Sequence, residues 1–146
     1  MTLKFLGDVP SAALDDIRSA TEAAVIGTGP FDMRAVGLGC FPNARRPRVI
    51  WIGLDGQQDA LHSLRDRIEA SVSPLGFPTE KRPFNPHLTL GRVKSSNAGE
   101  VSTVGRVIEG ASASELARWT AQTVSIIQST LKPDGAVYTA LATYDL

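Results

Sequence analysis

Cysteine is nearly absent from this chain: Cys40 is the only one in 146 residues. No intrachain disulfide can form, and a reducing cytoplasm fits the composition. Cys40 itself reads as a small buried side chain. Net charge is absent as well, since 15 basic and 15 acidic side chains cancel. That excludes a protein that coats nucleic acid by bulk charge, so any phosphate ligand must be gripped locally. No apolar run is long enough to span a bilayer, and no secretory signal is read at the start. There is no cluster of His, Cys or carboxylate at ligand spacing, no phosphate-binding glycine loop and no nucleophile elbow. There is no linker and no low-complexity segment either.

What is present is the material of one compact domain. Hydrophobic residues make up 42% of the chain, enough for a real core at this length. Thr2 to Leu6 reads as a strand closed by Gly7-Asp8. A helix follows from Pro10-Ser11, with Leu14, Ile17, Ala20, Thr21, Ala24 and Val25 at helical spacing. Phe31 to Val36 alternates like a half-buried strand, and Gly37, Gly39 and Pro42 are expected to bend the chain into a loop over 43–47. Val49 to Leu54 is almost all apolar and reads as a central strand, with Trp51 in the core. Gln57 to Ser73 is a second helix with Leu61, Leu64, Ile68 and Val72 as its buried stripe. His62 lies beside that stripe and reads as a solvated helix residue. Ala98 to Glu109 is a glycine-weakened helix. Ser112 with Glu115 is open to two readings, a capping box or a turn. Thr123 to Gln128 and Ala136 to Tyr144 are strands joined through the turn chemistry of Pro133-Asp134-Gly135. Helices segregated from antiparallel strands argue an α+β fold rather than a doubly wound sheet.

The most informative stretch is Pro83-Phe84-Asn85-Pro86-His87-Leu88-Thr89-Leu90-Gly91-Arg92. Its two prolines hold the approach extended. In a strand, side chains at i and i+2 point the same way, about 7 Å apart. His87 and Thr89 are therefore expected on one face, with Leu88 and Leu90 on the other, entering the core. An imidazole and a hydroxyl aimed at one spot can hold a phosphate and move a proton. A structural histidine is the other reading of the same residues. The start of the chain looks like a second copy: Thr2-Leu3 repeats Thr89-Leu90, and Gly7 closes it as Gly91 closes the first.

Further pieces accompany these two in a fixed order: Gly37-Leu38-Gly39-Cys40-Phe41-Pro42, Pro47-Arg48-Val49-Ile50-Trp51, Ser129-Thr130-Leu131 and Gly135-Ala136-Val137-Tyr138. Together they span nearly the whole chain. They resemble the 2H (two-histidine) phosphoesterases, and within them the RNA 2',3'-cyclic phosphodiesterases, also called 2'-5' RNA ligases. The resemblance implies a bilobal α+β fold: two antiparallel sheets facing a central cleft, helices outside, each lobe carrying one His-x-Thr-x motif. In that family a strand, a helix and the first motif's histidine precede the position of Thr2. The sequence starts one place after that histidine's position. One domain over 1–146 is thus expected without those pieces, with weak turnover and some self-association through an uncovered sheet edge and apolar face.

The resemblance also implies a chemistry. Opening a 2',3'-cyclic phosphate needs a base on the water's side and an acid beside the leaving oxygen. By resemblance His87 is the proton acceptor, and Thr89 and Thr2 are the phosphate-binding hydroxyls. Arg92, five residues after His87, is either a substrate-binding cation or a surface residue at a strand end. Arg45, Arg46 and Arg48 read as a solvated loop more readily than as RNA contacts. Ser129 and Tyr138 read as structural. No metal or other cofactor is required. The expected partners are RNA ends or nucleotides bearing a 2',3'-cyclic phosphate, and no membrane. The product would be a 2'-phosphomonoester, and the reverse direction would join RNA ends by a 2'-5' bond. The rival reading is a phosphate- or RNA-binding module on the same fold, without turnover.

Overall fold

In the computed structural model, which describes residues 1–111 and 113–146, the chain builds two units, each from separate stretches. One comprises Met1–Thr2, Asp32–Gly56 and Pro83–Trp119; the other comprises Leu3–Phe31, Gln57–Arg82 and Thr120–Leu146.

The first unit is a four-stranded sheet with a helix. β1 (Phe31–Phe41), β2 (Val49–Gly56), β3 (His87–Arg92) and β4 (Ala117–Ala121) stand in the order β3-β2-β1-β4. β2 pairs antiparallel with β1 on one side and with β3 on the other, so the apolar run at Val49 to Leu54 is indeed an inner strand. α3 (Ala98–Gly110) completes the unit. Asn97 caps it, its Oδ1 accepting from the backbone N–H groups of Gly99 at 2.9 Å and Glu100 at 3.3 Å.

The second unit packs α1 (Leu14–Val25) and α2 (Gln58–Val72) with the antiparallel hairpin of β5 (Thr123–Lys132) and β6 (Gly135–Asp145). Ile17, Thr21, Ala24 and Val25 are buried on α1; Leu61, Leu64, Ile68 and Val72 are buried on α2. These are the stripes that helical spacing predicts. The Thr21 hydroxyl donates to the Ile17 carbonyl at 2.7 Å, which is how a polar side chain sits in this core. Tyr144 reaches from β6 to donate to the Arg18 carbonyl at 3.0 Å. No helix among the described residues is long and apolar enough to cross a membrane.

Several expectations need correction. Thr2 to Leu6 is not a strand: no ladder forms there, and Phe5 is 82% exposed. A strand exists only by virtue of a neighbour, and the firm attachment of this segment is a side chain, Lys4, whose ammonium donates to Glu69 at 2.8 Å. The chain does not leave the sheet at Gly37; β1 runs on to Phe41. Gly37, at φ +75°, is accommodated as an extra residue between Val36 and Leu38, a bulge that bends the strand without ending it. β4 has no counterpart in the sequence reading. Its five residues give too little alternation to announce a strand. The reading of Ser112 with Glu115 falls partly outside the described residues. His62 is exposed on α2, as expected.

Candidate active site

β3 carries three of the candidate residues, His87, Thr89 and Arg92. Its approach is extended, and the Leu54 N–H of β2 donates to the Pro86 carbonyl at 3.0 Å, so pairing begins before His87 itself. Within the strand, His87 faces Gly53, Leu88 faces Ile52 and Thr89 faces Trp51; then the register slips, and Gly91 faces Ile50 and Arg92 faces Val49. Leu90 is the extra residue of that bulge. It is 57% exposed and does not enter the core, contrary to strict alternation.

The bulge has a consequence for Arg92. Residues opposite one another in adjacent strands share a face. Val49, Trp51 and Gly53 alternate with their neighbours on β2 and so point one way, which puts Arg92, Thr89 and His87 on one face of β3. Five residues of uninterrupted strand would have placed Arg92 opposite His87. Arg92 is exposed, Thr89 is exposed and His87 is half-buried.

The same face carries an aromatic wall. The His87 ring lies edge-on to Phe41, with ring centroids 5.0 Å apart, and 6.2 Å from Trp51; Phe41 and Trp51 are 5.2 Å apart. Gly39 makes this possible. It faces Trp51 across β1 and β2, and a methyl group there would collide with the indole ring. Gly53 is similarly constrained, since its methyl would stand 2.8 Å from the Val36 carbonyl oxygen. Trp51 is thus partly core, as expected, but its ring also forms the floor beside His87.

The imidazole is oriented from behind. His87 Nδ1 lies 2.7 Å from the carbonyl oxygen of Asn85. A carbonyl can only accept, so Nδ1 carries a proton, and in the neutral ring Nε2 is the nitrogen left as acceptor. Asn85 was not legible as a partner of His87 because the contact is made by its backbone. At the other end of the face, Arg34 Nε donates to Asp55 at 3.1 Å, and the Arg34 guanidinium also stands 3.8 Å from Glu115.

The remaining sequence candidates distribute as follows. Thr2 is exposed and belongs to the unit that contains His87 and Thr89. Arg45, Arg46 and Arg48 are exposed. Cys40 is half-buried rather than buried. Burial, with a smaller effect from the Glu109 carboxylate, pushes its thiol up, so it is a poor nucleophile at neutral pH. Among the described residues no group of three or more His, Cys, Asp or Glu is placed to hold a metal ion.

The model of one protein family, the 2'-5' RNA ligase superfamily, matches residues 1–132. The chain belongs to the 2'-5' RNA ligase superfamily. Relatives of this superfamily member include the RNA 2',3'-cyclic phosphodiesterase of Aeropyrum pernix, 31% identical over 141 residues that cover 97% of the chain and 78% of the relative. The protein of the same name from Methanothermobacter thermautotrophicus is 32% identical over 145 residues, covering 99% of the chain and 77% of the relative. Among solved structures, one from Thermus thermophilus superposes with a TM-score of 0.77 at 28% identity, covering 99% of this chain and 76% of that one. E. coli LigT complexed with 3'-AMP shares the fold at a TM-score of 0.75 and 20% identity, over 99% of this chain and 75% of its own. The resemblance carried by the two Thr-Leu motifs and the pieces between them is therefore one of family and fold.

Proposed function

We propose that this chain is an RNA 2',3'-cyclic phosphodiesterase in which His87 is the general base. The observation that supports it is the Asn85 carbonyl 2.7 Å from His87 Nδ1, which leaves Nε2 as the proton acceptor on the face shared with Thr89. Water attacks phosphorus, and its proton passes to Nε2. The bond from phosphorus to the 3' oxygen breaks, and that oxygen takes a proton from water, leaving a 2'-phosphomonoester. Thr89 donates its hydroxyl to a non-bridging oxygen, where charge develops, and Thr2 is proposed to do the same from its own segment. Arg92 stands two positions along β2 from Thr89, about 7 Å away by strand rise, so its long side chain approaches the same phosphate. The named activity of the relatives from Aeropyrum pernix and Methanothermobacter thermautotrophicus supports the reading.

The test is hydrolysis of a nucleoside 2',3'-cyclic phosphate. His87→Ala is expected to lose roughly 10²–10⁴-fold in rate, the usual worth of a placed acid or base. An unchanged rate in a folded variant would sink the assignment. Binding of a 2'-phosphonucleotide by the parent chain with no turnover would favour the non-catalytic module instead. General acid–base chemistry calls for no metal, so turnover is expected to survive dialysis against a chelator. Loss on chelation, restored by zinc or magnesium, would require a metal-assisted mechanism.

A further inference from the structure

The basic and acidic side chains cancel over the whole chain, but they do not cancel locally. Arg18, Arg34, Arg65, Arg82 and Arg118 each pair with a carboxylate, and Lys4 pairs with Glu69. Of the exposed cations that make no ion pair among the described residues, Lys81, Arg106 and Lys132 lie on three separate segments, and the other five are Arg45, Arg46, Arg48, Arg92 and Lys94. All five gather at one end of the four-stranded sheet. Arg45 and Arg46 stand on the turn after β1, where Asn43 Oδ1 accepts from their backbone N–H groups at 3.0 and 3.2 Å. The Arg48 N–H donates to the Phe41 carbonyl at 2.7 Å, and the Arg48 carbonyl accepts from Val93 N–H at 3.0 Å. Arg48 is thereby fixed between the end of β1 and the end of β3, where Arg92 and Lys94 emerge. α3 backs the turn. A methyl group on Gly105 would collide with the Ala44 carbonyl oxygen and stand 2.9 Å from its carbon, so helix and turn meet backbone to backbone. Of the carboxylates on α3, Glu100 accepts from Ser95 at 2.5 Å, and Glu109 lies near enough to Cys40 to act on its thiol.

Like charges held together on a firm frame repel one another, and a polyanion relieves that repulsion. We infer that Arg45, Arg46, Arg48 and Lys94 form a second phosphate site, which takes backbone phosphates of a single-stranded RNA whose 3' end lies at His87. The proposal rests on the reading of His87 given above. Arg48 precedes Val49, whereas His87 faces Gly53; five residues of strand separate them, about 16 Å. A phosphate held at His87 cannot also touch this cluster, so a mononucleotide does not use it and a strand does. Arg92 lies between the two positions, on the His87 face, which favours a linear ligand ending there over a flat anionic surface.

The experiment combines Arg45→Gln, Arg46→Gln and Arg48→Gln, three exposed changes whose folding is checked by thermal melting. Affinity is read by fluorescence anisotropy of a labelled RNA oligomer with a 2'-phosphate at its 3' end, across a salt series. The expected result is an affinity about tenfold lower at low salt and a salt slope shallower by about 2, since each phosphate neutralised on a single strand contributes about 0.7. Hydrolysis of a nucleoside 2',3'-cyclic phosphate stays unchanged. RNA affinity and salt slope equal to the parent's would overturn the proposal. So would loss of binding to phosphatidylserine vesicles with RNA affinity intact, which would assign the cluster to a membrane surface. If RNA affinity falls as expected but the parent chain hydrolyses no cyclic nucleotide, the RNA track stands and the catalytic reading of His87 fails.

Discussion

Gly39 is the residue at which the site tolerates least. Its missing side chain is the space that the Trp51 indole fills, and that indole in turn lies against Phe41 and near His87. Gly39→Ala must therefore push a ring or a strand. Such overpacking costs about 1–3 kcal/mol. Urea denaturation measures it, and a double-mutant cycle identifies the cause. In a Trp51→Ala background the Gly39→Ala penalty is expected to vanish, because its collision partner is gone. The same penalty in both backgrounds would show that another contact is responsible. In the sequence Gly39 signals a bend, because glycine beside glycine and proline is turn chemistry. What it does is permit a close approach by a ring twelve residues further on, and pair contacts of that kind leave no periodic trace. His87 and Thr89 were legible for the opposite reason: their relation is local, two residues along one strand.

At the scale of elements, the helices α1 and α2 were legible almost residue by residue, since a mostly apolar stripe at helical spacing leaves little choice of buried face. β2 and the β5–β6 hairpin were legible from apolar content and from Pro133-Asp134-Gly135. The bulges were not. At Gly37 and at Leu90 one strand carries one residue more than its neighbour, and only the pairing reveals this. The pairing of Arg92 with Val49 beyond the Leu90 bulge decides which way Arg92 points, and that gives a test. Deleting Leu90 turns β3 into a regular strand, yet leaves His87 facing Gly53 and Arg92 facing Val49. The shortened chain is expected to keep its turnover and its affinity for phosphate. Arg92→Ala is expected to raise the KM for a cyclic nucleotide by the same factor in the parent and in the shortened chain. If Arg92→Ala has an effect in the parent and none after the deletion, pairing register is not what sets its direction.

At the scale of the whole molecule, the chain alternates between its two units along its length, so neither corresponds to a single stretch of sequence. The N-terminal segment, which alternation alone would make a strand, is attached to the second unit by charge. Glu69 on α2 is only 3% exposed, and three donors from three stretches reach it. Lys4 Nζ stands 2.8 Å from Oε2, the Glu80 N–H donates to the same oxygen at 3.2 Å, and Arg65 Nη2 lies 3.2 Å from Oε1. A buried carboxylate is costly unless it is paired and hydrogen-bonded, and here both oxygens are engaged. Removing it leaves Lys4, whose side chain is only 9% exposed, with the Pro78 carbonyl as a partner but without its countercharge. Glu69→Ala is therefore expected to destabilise the chain by about 3–5 kcal/mol, the range for breaking a buried pair from one side. Lys4→Met combined with Glu69→Leu replaces the ionic contact by an apolar one. It is expected to recover part of the loss, with the remainder owed to Arg65 and the Glu80 N–H. Chemical denaturation gives the two free energies, and hydrogen exchange at 3–8 reports whether the segment has come loose. A Glu69→Ala loss below about 1 kcal/mol, within the range of surface ion pairs, would mean that water already screens this carboxylate and that something else holds the segment down.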